Sequence, residues 1–124
     1  MEKPIVLLVD DEVDTLKTIK ISLEVRGYSV VTAENGEKAL EILQTVIPGI
    51  IIADIRMQPI NGFELYQQVK KTVRLSKIPF FFLTAVDDSL AKKYGQKLGV
   101  DAYITKPVDL DRLDERIMDK LKEQ

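Results

Sequence analysis

A chain of 124 residues, 45% of them hydrophobic, is long enough for one domain with a single core and too short for two. Its 18 basic and 20 acidic residues give a net charge of -2, which excludes the strongly basic surface of proteins that bind nucleic acid or anionic membranes directly. Without cysteine or histidine, the chain cannot form disulfides, thiolate or imidazole metal sites, or a histidine base. Its chemistry must therefore use carboxylates, hydroxyls and lysines.

No hydrophobic segment at the start of the chain predicts membrane insertion or export. The apolar run IVLLV at 5–9 is too short for a signal-peptide core and far too short to span a bilayer. The absence of cysteine suits a reducing compartment. We therefore expect a cytoplasmic protein with no membrane contact.

Short apolar segments of strand length alternate with segments of helical periodicity. The strand segments are residues 5–9, 28–33, 49–54, 79–85 and 101–105. Most are continuously apolar, which is typical of strands covered on both faces. Apolar residues at helical spacing mark the segments between and after them: Val13, Leu16, Ile19 and Leu23; Leu40, Leu43 and Ile47; Tyr66, Val69 and Val73; Leu90, Tyr94 and Leu98; Leu110, Leu113, Ile117 and Leu121.

Turn-forming residues lie at the ends of the predicted helices. Gly27 and Gly99 follow the first and fourth helices, Asn35-Gly36 and Asn61-Gly62 precede the second and third, and Pro48-Gly49 ends the second. The alternation predicts the α/β class, as a doubly wound (βα)₅ three-layer sandwich. Its parallel five-stranded sheet lies between two helix layers because right-handed crossovers place helices on both faces.

Polar residues lie at the carboxyl ends of four predicted strands. They are Asp10 and Asp11 after the first strand, Asp54 at the end of the third, Thr84 in the fourth and Lys106 after the fifth. In open α/β sheets, ligand sites form at this edge. We therefore expect three carboxylates, a hydroxyl and an ammonium group to meet there.

Three neighbouring carboxylates predict a bound cation. Each close pair would repel by on the order of 4 kcal/mol at 4 Å with an effective dielectric constant of about 20. Oxygen ligands without nitrogen or sulfur favour Mg²⁺, with Mn²⁺ as the other candidate. Lys106 and Thr84 suit phosphoryl oxygens, and one carboxylate could act as a nucleophile and become an aspartyl phosphate.

The segments LLVDDE, IIIADIRM, FFLTA and ITKP together resemble the response regulator receiver domain of two-component signalling, over essentially the whole chain. The resemblance implies a flavodoxin-like sheet with strand order 2-1-3-4-5. It also implies that residues 1–124 are a single receiver domain, with no effector domain in this chain.

The same resemblance implies which residues form the acceptor and metal site. Asp54 would be the phosphoacceptor. Asp11, Asp54 and the main-chain carbonyl of Arg56 would coordinate Mg²⁺, and Asp10 would assist the metal through water. Arg56 and Val86 would flank the site and affect the lifetime of the phosphoryl group.

The remaining family residues would bind the phosphoryl group and transmit its presence. Lys106 would be the phosphoryl-binding lysine, before a cis peptide bond to Pro107. Thr84 would be the switch hydroxyl and Tyr103 the switch aromatic, which would turn inward after phosphorylation. One departure from the family pattern concerns the loop after the acceptor, where Gln58-Pro59 replaces the usual Pro-Gly while the spacing to Asn61-Gly62 is kept.

A chain without histidine needs a partner to donate the phosphoryl group. The resemblance implies a sensor histidine kinase or histidine phosphotransfer protein as donor, and an effector domain or target protein as recipient of the signal. Ile21 and Val25 on the first helix are candidate kinase contacts. The lysines Lys92, Lys93 and Lys97 face an acidic fifth helix, so this surface is either solvated or a homodimer face through helices 4 and 5.

Other interpretations remain open for the same residues. Asp10 and Asp11 could cap the first helix, Thr84 could be an ordinary strand residue, and Lys106 an exposed turn residue. An aspartyl phosphatase would need a second acid where Arg56 stands, and a nucleotide-binding module would need a glycine-rich turn after the first strand. A pseudo-receiver that only binds proteins is the main alternative, although the complete acid, threonine and lysine set argues against it.

Overall fold

The computed structural model describes residues 3–85 and 88–123. Within these ranges, strands β1 (Ile5–Val9), β2 (Ser29–Ala33), β3 (Ile50–Asp54), β4 (Phe80–Ala85) and β5 (Ala102–Lys106) form one parallel sheet in the order β2-β1-β3-β4-β5. The helices are α1 (Val13–Val25), α2 (Gly36–Ile42), α3 (Gly62–Lys71), α4 (Ser89–Leu98) and α5 (Leu110–Lys122), with a 3₁₀ turn at Val73–Leu75. The predicted (βα)₅ sandwich and its strand order are confirmed.

Alternate strand residues point to opposite sides of the sheet, and helices cover both sides. On one side, Leu7 and Ile51 belong to a core cluster that includes residues of α2, α3 and α4. On the other side, Leu8 and Ile52 pack with residues of α1 and α5. All four side chains are fully buried, which explains why these strands are continuously apolar.

Most helix ends agree with the turn signals in the sequence, but Pro48-Gly49 does not end α2, which already ends at Ile42. The side chain of Asn35 accepts a hydrogen bond from Lys38 N, and Asn61 forms a reciprocal capping box with Glu64 at the start of α3. Gly99 ends α4 with a φ of 76°, a conformation that residues with a Cβ rarely adopt. These local interactions define where the chain leaves each helix.

The predicted apolar stripes were wrong at several positions. Helix α2 ends at Ile42, so Ile47 lies beyond it, and Val73 lies in the 3₁₀ turn rather than in α3. Helix α4 buries the small residues Ala91 and Gly95, whereas of its large apolar side chains only Leu98 packs on the core cluster. The exposed members of the predicted stripes are Val13 (43%), Ile47 (58%), Val73 (90%), Leu90 (77%) and Tyr94 (46%).

Among the helices in the described part of the chain, none has both the length and the apolar character needed to cross a bilayer.

Candidate functional site

The carboxyl edge of the sheet brings the predicted polar residues together. Asp10 follows β1 and is fully buried, Asp54 ends β3 and is 6% exposed, and Thr84 in β4 is 2% exposed. Lys106 ends β5, opposite Ala85 of β4. Buried charged residues are rare unless they are paired or functional, so this edge is the candidate site.

Lys106 bridges acidic residues that come from different strand ends. Its Nζ lies 2.9 Å from Asp10 Oδ2, 3.0 Å from Glu12 Oε1 and 3.3 Å from Asp54 Oδ2. Burial acts to lower the pKa of Lys106, but its interactions with the carboxylates of Asp10, Glu12 and Asp54 raise the pKa above its ordinary value. The ammonium group is therefore held charged in the middle of the acids.

Glu12 is a member of the site that the sequence analysis missed. One carboxylate oxygen each of Asp10, Glu12 and Asp54 lie within 4.8 Å of one another. Asp11, which the family resemblance places on the metal, is exposed and lies outside this group. Side chains of extended backbone alternate in direction, so the i, i+2 spacing of Asp10 and Glu12 was the signal that could have found this pair.

Asp11 instead borders an adjacent cavity of about 400 Å³, whose other lining residues include Arg56, Met57 and Asn61 from the loop after β3. The cavity therefore adjoins both the end of the first strand and the backbone that follows Asp54. Metal coordination by Asp11 and by the carbonyl of Arg56 stays a prediction.

The acidic cluster suits a hard cation. Asp10 Oδ2 is buried and receives no hydrogen bond from any described residue, despite its short ion pair with Lys106. A carboxylate oxygen can make more than one polar contact, so the ion pair with Lys106 leaves Asp10 Oδ2 able to bind a metal ion as well. The donor set contains oxygen alone, which fits Mg²⁺ or another hard divalent ion.

Asp54 is a buried carboxyl group with a raised pKa. Burial, followed by the charge of Asp10, raises the pKa of Asp54 to about 6, although Lys106 and the Arg56 N–H act to lower it. Arg56 N donates to Asp54 Oδ1 over 3.3 Å. A carboxyl group with this pKa is mostly ionised at neutral pH, so it is available as a nucleophile.

The guanidinium of Arg56 turns away from the acids and toward helix α4. Its Nε and Nη2 donate to the two carboxylate oxygens of Asp88, both over 2.9 Å. The side chain of Asp88 also accepts from Ala91 N as the cap of α4. Arg56 therefore links the loop after β3 to α4. Val86, expected to flank the site, lies outside the described residues.

The loop after β3 packs tightly on the backbone of Asp54 and Ile55 through Gly62. A Cβ at this position would lie 2.5 Å from the main-chain oxygen of Asp54 and 2.9 Å from Ile55 Cα. Gly62 N also donates to Ile55 O. The family spacing of Asn61-Gly62 thus has a steric reason. The peptide bonds Gln58-Pro59 and Lys106-Pro107 are both cis, the second as expected and the first unforeseen.

The two candidate switch residues have few polar contacts. The hydroxyl of Thr84 makes one long contact of 3.4 Å to Ala85 O. The hydroxyl of Tyr103 is buried and finds no partner among residues 3–85 and 88–123. Neither hydroxyl is held by a strong hydrogen bond, so both could change partners at low cost.

The charged surfaces of α4 and α5 are only partly as expected. Asp111 pairs with Arg26 over 2.6 Å, and Asp114 accepts from Tyr28 over 2.6 Å, so these two acids bind the α1 side of the molecule rather than face α4. The exposed lysines Lys93 and Lys97 remain on α4. On α1, Ile21 and Val25 are 61% and 80% exposed.

Sequence comparisons place this architecture among known proteins. The family described as "Response regulator receiver domain" matches residues 6–118. The chain is 40% identical over 116 residues to "Probable transcriptional regulator ycf27" of Cyanidium caldarium, and 34% identical over 112 residues to "Alkaline phosphatase synthesis transcriptional regulatory protein PhoP" of Bacillus subtilis (strain 168). These alignments cover 94% and 90% of this chain but 45% and 46% of the relatives, so the chain spans about half their length.

A solved structure agrees with the sequence relatives. The signal receiver domain of a signal transduction histidine kinase from Syntrophus aciditrophicus is 28% identical, with a TM-score of 0.90 over 98% of this chain and 92% of that one. The motifs, strand order and acidic edge therefore have one explanation: this chain belongs to the response regulator receiver domain family, a family of signalling domains in two-component systems.

Proposed function

We propose that this chain is a phosphoacceptor switch of a two-component system or phosphorelay, phosphorylated on Asp54. The observation that carries the proposal is the position of Asp54 Oδ2. This oxygen is buried at the sheet edge, 3.3 Å from Lys106 Nζ, within an acidic cluster that could hold a cation. A nucleophile, a counter-charge and oxygen ligands are thus in contact.

Asp10 and Asp54, with Glu12 or Asp11 and the main-chain carbonyl of Arg56, would hold Mg²⁺, for which Mn²⁺ could substitute. When bound, the ion supplies positive charge that neutralises the carboxylates and the phosphoryl oxygens. The proposal for an ion rests on the buried oxygen of Asp10, which accepts no hydrogen bond from the described residues, and on the all-oxygen donor set.

The phosphoryl transfer itself requires little from the protein beyond position and charge. An Oδ of Asp54 forms a bond to phosphorus while the P–N bond of the donor's phosphohistidine breaks and the imidazole keeps the electron pair. Lys106 orients the phosphoryl oxygens through its ammonium group, and the Thr84 hydroxyl donates to one of them. Water later hydrolyses the acyl phosphate and regenerates Asp54, so the chain assists its own phosphorylation and dephosphorylation without acting on a separate substrate.

The donor would be a sensor histidine kinase or a histidine phosphotransfer protein, because the chain has no histidine of its own. The exposed Ile21 and Val25 on α1 are a candidate contact for that donor. The signal would pass from α4 and α5 to an effector domain, a target protein or a second copy of the chain. Relatives are named for transcription, but we propose that this receiver acts in the cytoplasm through protein contacts, not through nucleic acid or membrane.

Intact-mass measurement after incubation with Mg²⁺ and acetyl phosphate tests the acceptor. The wild type should gain the mass of one phosphoryl group, Asp54→Asn should gain none, and the exposed-site control Asp119→Asn should match the wild type. Labelling of folded Asp54→Asn at the wild-type level would reject the assignment. A folded wild type that is never labelled would favour the pseudo-receiver, which acts only as a protein-binding module.

A further inference from the structure

The end of the Tyr103 side chain lies where the Cβ of any other residue at position 95 would be. Gly95 lies inside α4, and Tyr103 lies on β5 beneath that helix. A Cβ built on Gly95 would be 1.3 Å from the Tyr103 hydroxyl oxygen, 2.5 Å from Cζ and 3.0 Å from Cε1. Contacts this short do not exist, so the end of the tyrosine ring fills the volume that any other residue at position 95 would need.

Helix propensity does not explain a glycine at this position. In a helix interior, glycine lowers the folding equilibrium constant about two- to fivefold relative to alanine. No positive φ requires it, since the positive-φ glycines of the described chain are Gly27 and Gly99. The close approach of the Tyr103 ring is the structural feature that excludes a Cβ.

The buried position of Tyr103 is favoured by one interaction and opposed by another. Its ring is half-buried and packs on Phe82 with 5.9 Å between ring centroids, which favours the inward position. Its buried hydroxyl has no hydrogen-bond partner in the described chain, which favours rotation into water. Such opposition allows two ring positions of similar free energy.

We propose that the missing Cβ of Gly95 leaves the space for Tyr103 in its buried position. The size of residue 95 therefore sets the equilibrium between the inward and outward positions of the Tyr103 ring. The inference rests on the proposed function only where it assigns this balance to signalling. The atoms that obstruct a Cβ belong to the far end of a rotatable side chain, whereas the helix is held through Ala91 and the Arg56–Asp88 pair. The ring, rather than the helix, should therefore move.

A double-mutant cycle measured by urea unfolding tests the contact. In a Tyr103→Ala background, Gly95→Ala should raise the folding equilibrium constant about two- to fivefold through helix propensity. In the wild-type background the same change should give no gain or a loss. Gln96→Ala, exposed on the same helix, should have the same effect in both backgrounds. An equal gain from Gly95→Ala in both backgrounds would overturn the inference.

A second measurement reports the ring position directly. The protein is labelled with 3-fluorotyrosine, the Tyr103 signal is assigned with Tyr103→Phe, and a soluble paramagnetic gadolinium chelate measures its exposure. Gly95→Ala should increase the broadening of this signal and leave that of Tyr28 unchanged. A Tyr103 signal as protected as in the wild type would show that the helix moved instead and would refute the proposal.

Neither measurement requires phosphorylation, so failure of the acceptor proposal and failure of this one are distinguishable. If acetyl phosphate labels both proteins, the wild-type Tyr103 signal should respond to labelling and that of Gly95→Ala should not. An equal response in the two proteins would remove Gly95 from the switch.

Discussion

Arg56 and Asp88 join the loop after β3 to the start of α4 through two parallel hydrogen bonds of 2.9 Å. Arg56 is two residues from the candidate acceptor, and its N–H contacts Asp54 Oδ1. The pKa of the Asp88 carboxyl lies below its usual range, mainly because it accepts hydrogen bonds from the Arg56 guanidinium. This pair therefore couples the site to the helix that covers Tyr103.

We expect the Arg56–Asp88 pair to contribute about 0.5–1 kcal/mol at low salt, because its geometry is bidentate although Arg56 is 71% exposed. A double-mutant cycle with Arg56→Ala and Asp88→Ala, measured by urea unfolding, isolates this coupling free energy. Raising the salt to 1 M should reduce it. Asp88→Ala should cost about 1 kcal/mol more than Arg56→Ala because it also removes the cap of α4. Equal losses would contradict that role.

Asp54 should make the free energy of unfolding depend on pH. Its pKa rises from 3.8 to about 6 on folding, chiefly through burial, so between these values the folded chain binds the proton more tightly than the unfolded chain. Stability contributed by this proton is present below pH 4 and lost as pH rises through 6, an effect of roughly 3 kcal/mol. In EDTA, Asp54→Asn should therefore exceed the wild type in stability at pH 7 and approach it near pH 4. A constant difference across that range would contradict the raised pKa.

Mg²⁺ should stabilise the folded chain, by about 2.7 kcal/mol at a concentration one hundred times the dissociation constant. Asp10→Asn should lose most of this gain, because it removes the negative charge of a buried carboxylate that would hold the ion. Thermal unfolding with and without Mg²⁺ measures it, with Asp119→Asn as the control.

A comparison of Asp11→Ala with Glu12→Gln in the same assay identifies the third carboxylate that binds Mg²⁺. If Asp11 binds the ion, as the family resemblance implies, Asp11→Ala should lose more of the Mg²⁺ stabilisation. If the acidic cluster binds it, Glu12→Gln should lose more. If Mg²⁺ stabilises Asp10→Asn, Asp11→Ala and Glu12→Gln as much as it stabilises the wild type, the cation does not bind at this edge.

Lys106→Met should destabilise the chain in EDTA, because it leaves the buried Asp10 and Asp54 without their counter-charge. The loss should be on the order of 2–4 kcal/mol. Mg²⁺ should then stabilise the variant more than the wild type, since the lysine no longer competes with the ion for the same oxygens. Calorimetric titration gives the two affinities, and weaker Mg²⁺ binding by Lys106→Met would contradict the competition.

Much of the fold was predictable because its signals are local. Continuous apolar runs identified the strands to within one residue of each end. The alternation of strands and helices then placed Asp54, Thr84 and Lys106 at one edge, because parallel strands end on the same side of the sheet. Periodicity failed where a helix was short or packed through small residues, as at Ile47 and Leu90.

The sequence alone determined the class of fold, the strand ends that form the site and the family to which their residues belong. Tertiary structure decided which of the consecutive acids faces Lys106, that Arg56 pairs with Asp88, and that Tyr103 fills the space left by Gly95. Each of these contacts joins residues that are distant along the chain. The backbone turn after β1 sets the direction in which each of the consecutive acids points. Local pattern can predict where a strand ends, but the direction of a side chain and the partner it meets depend on how the layers pack.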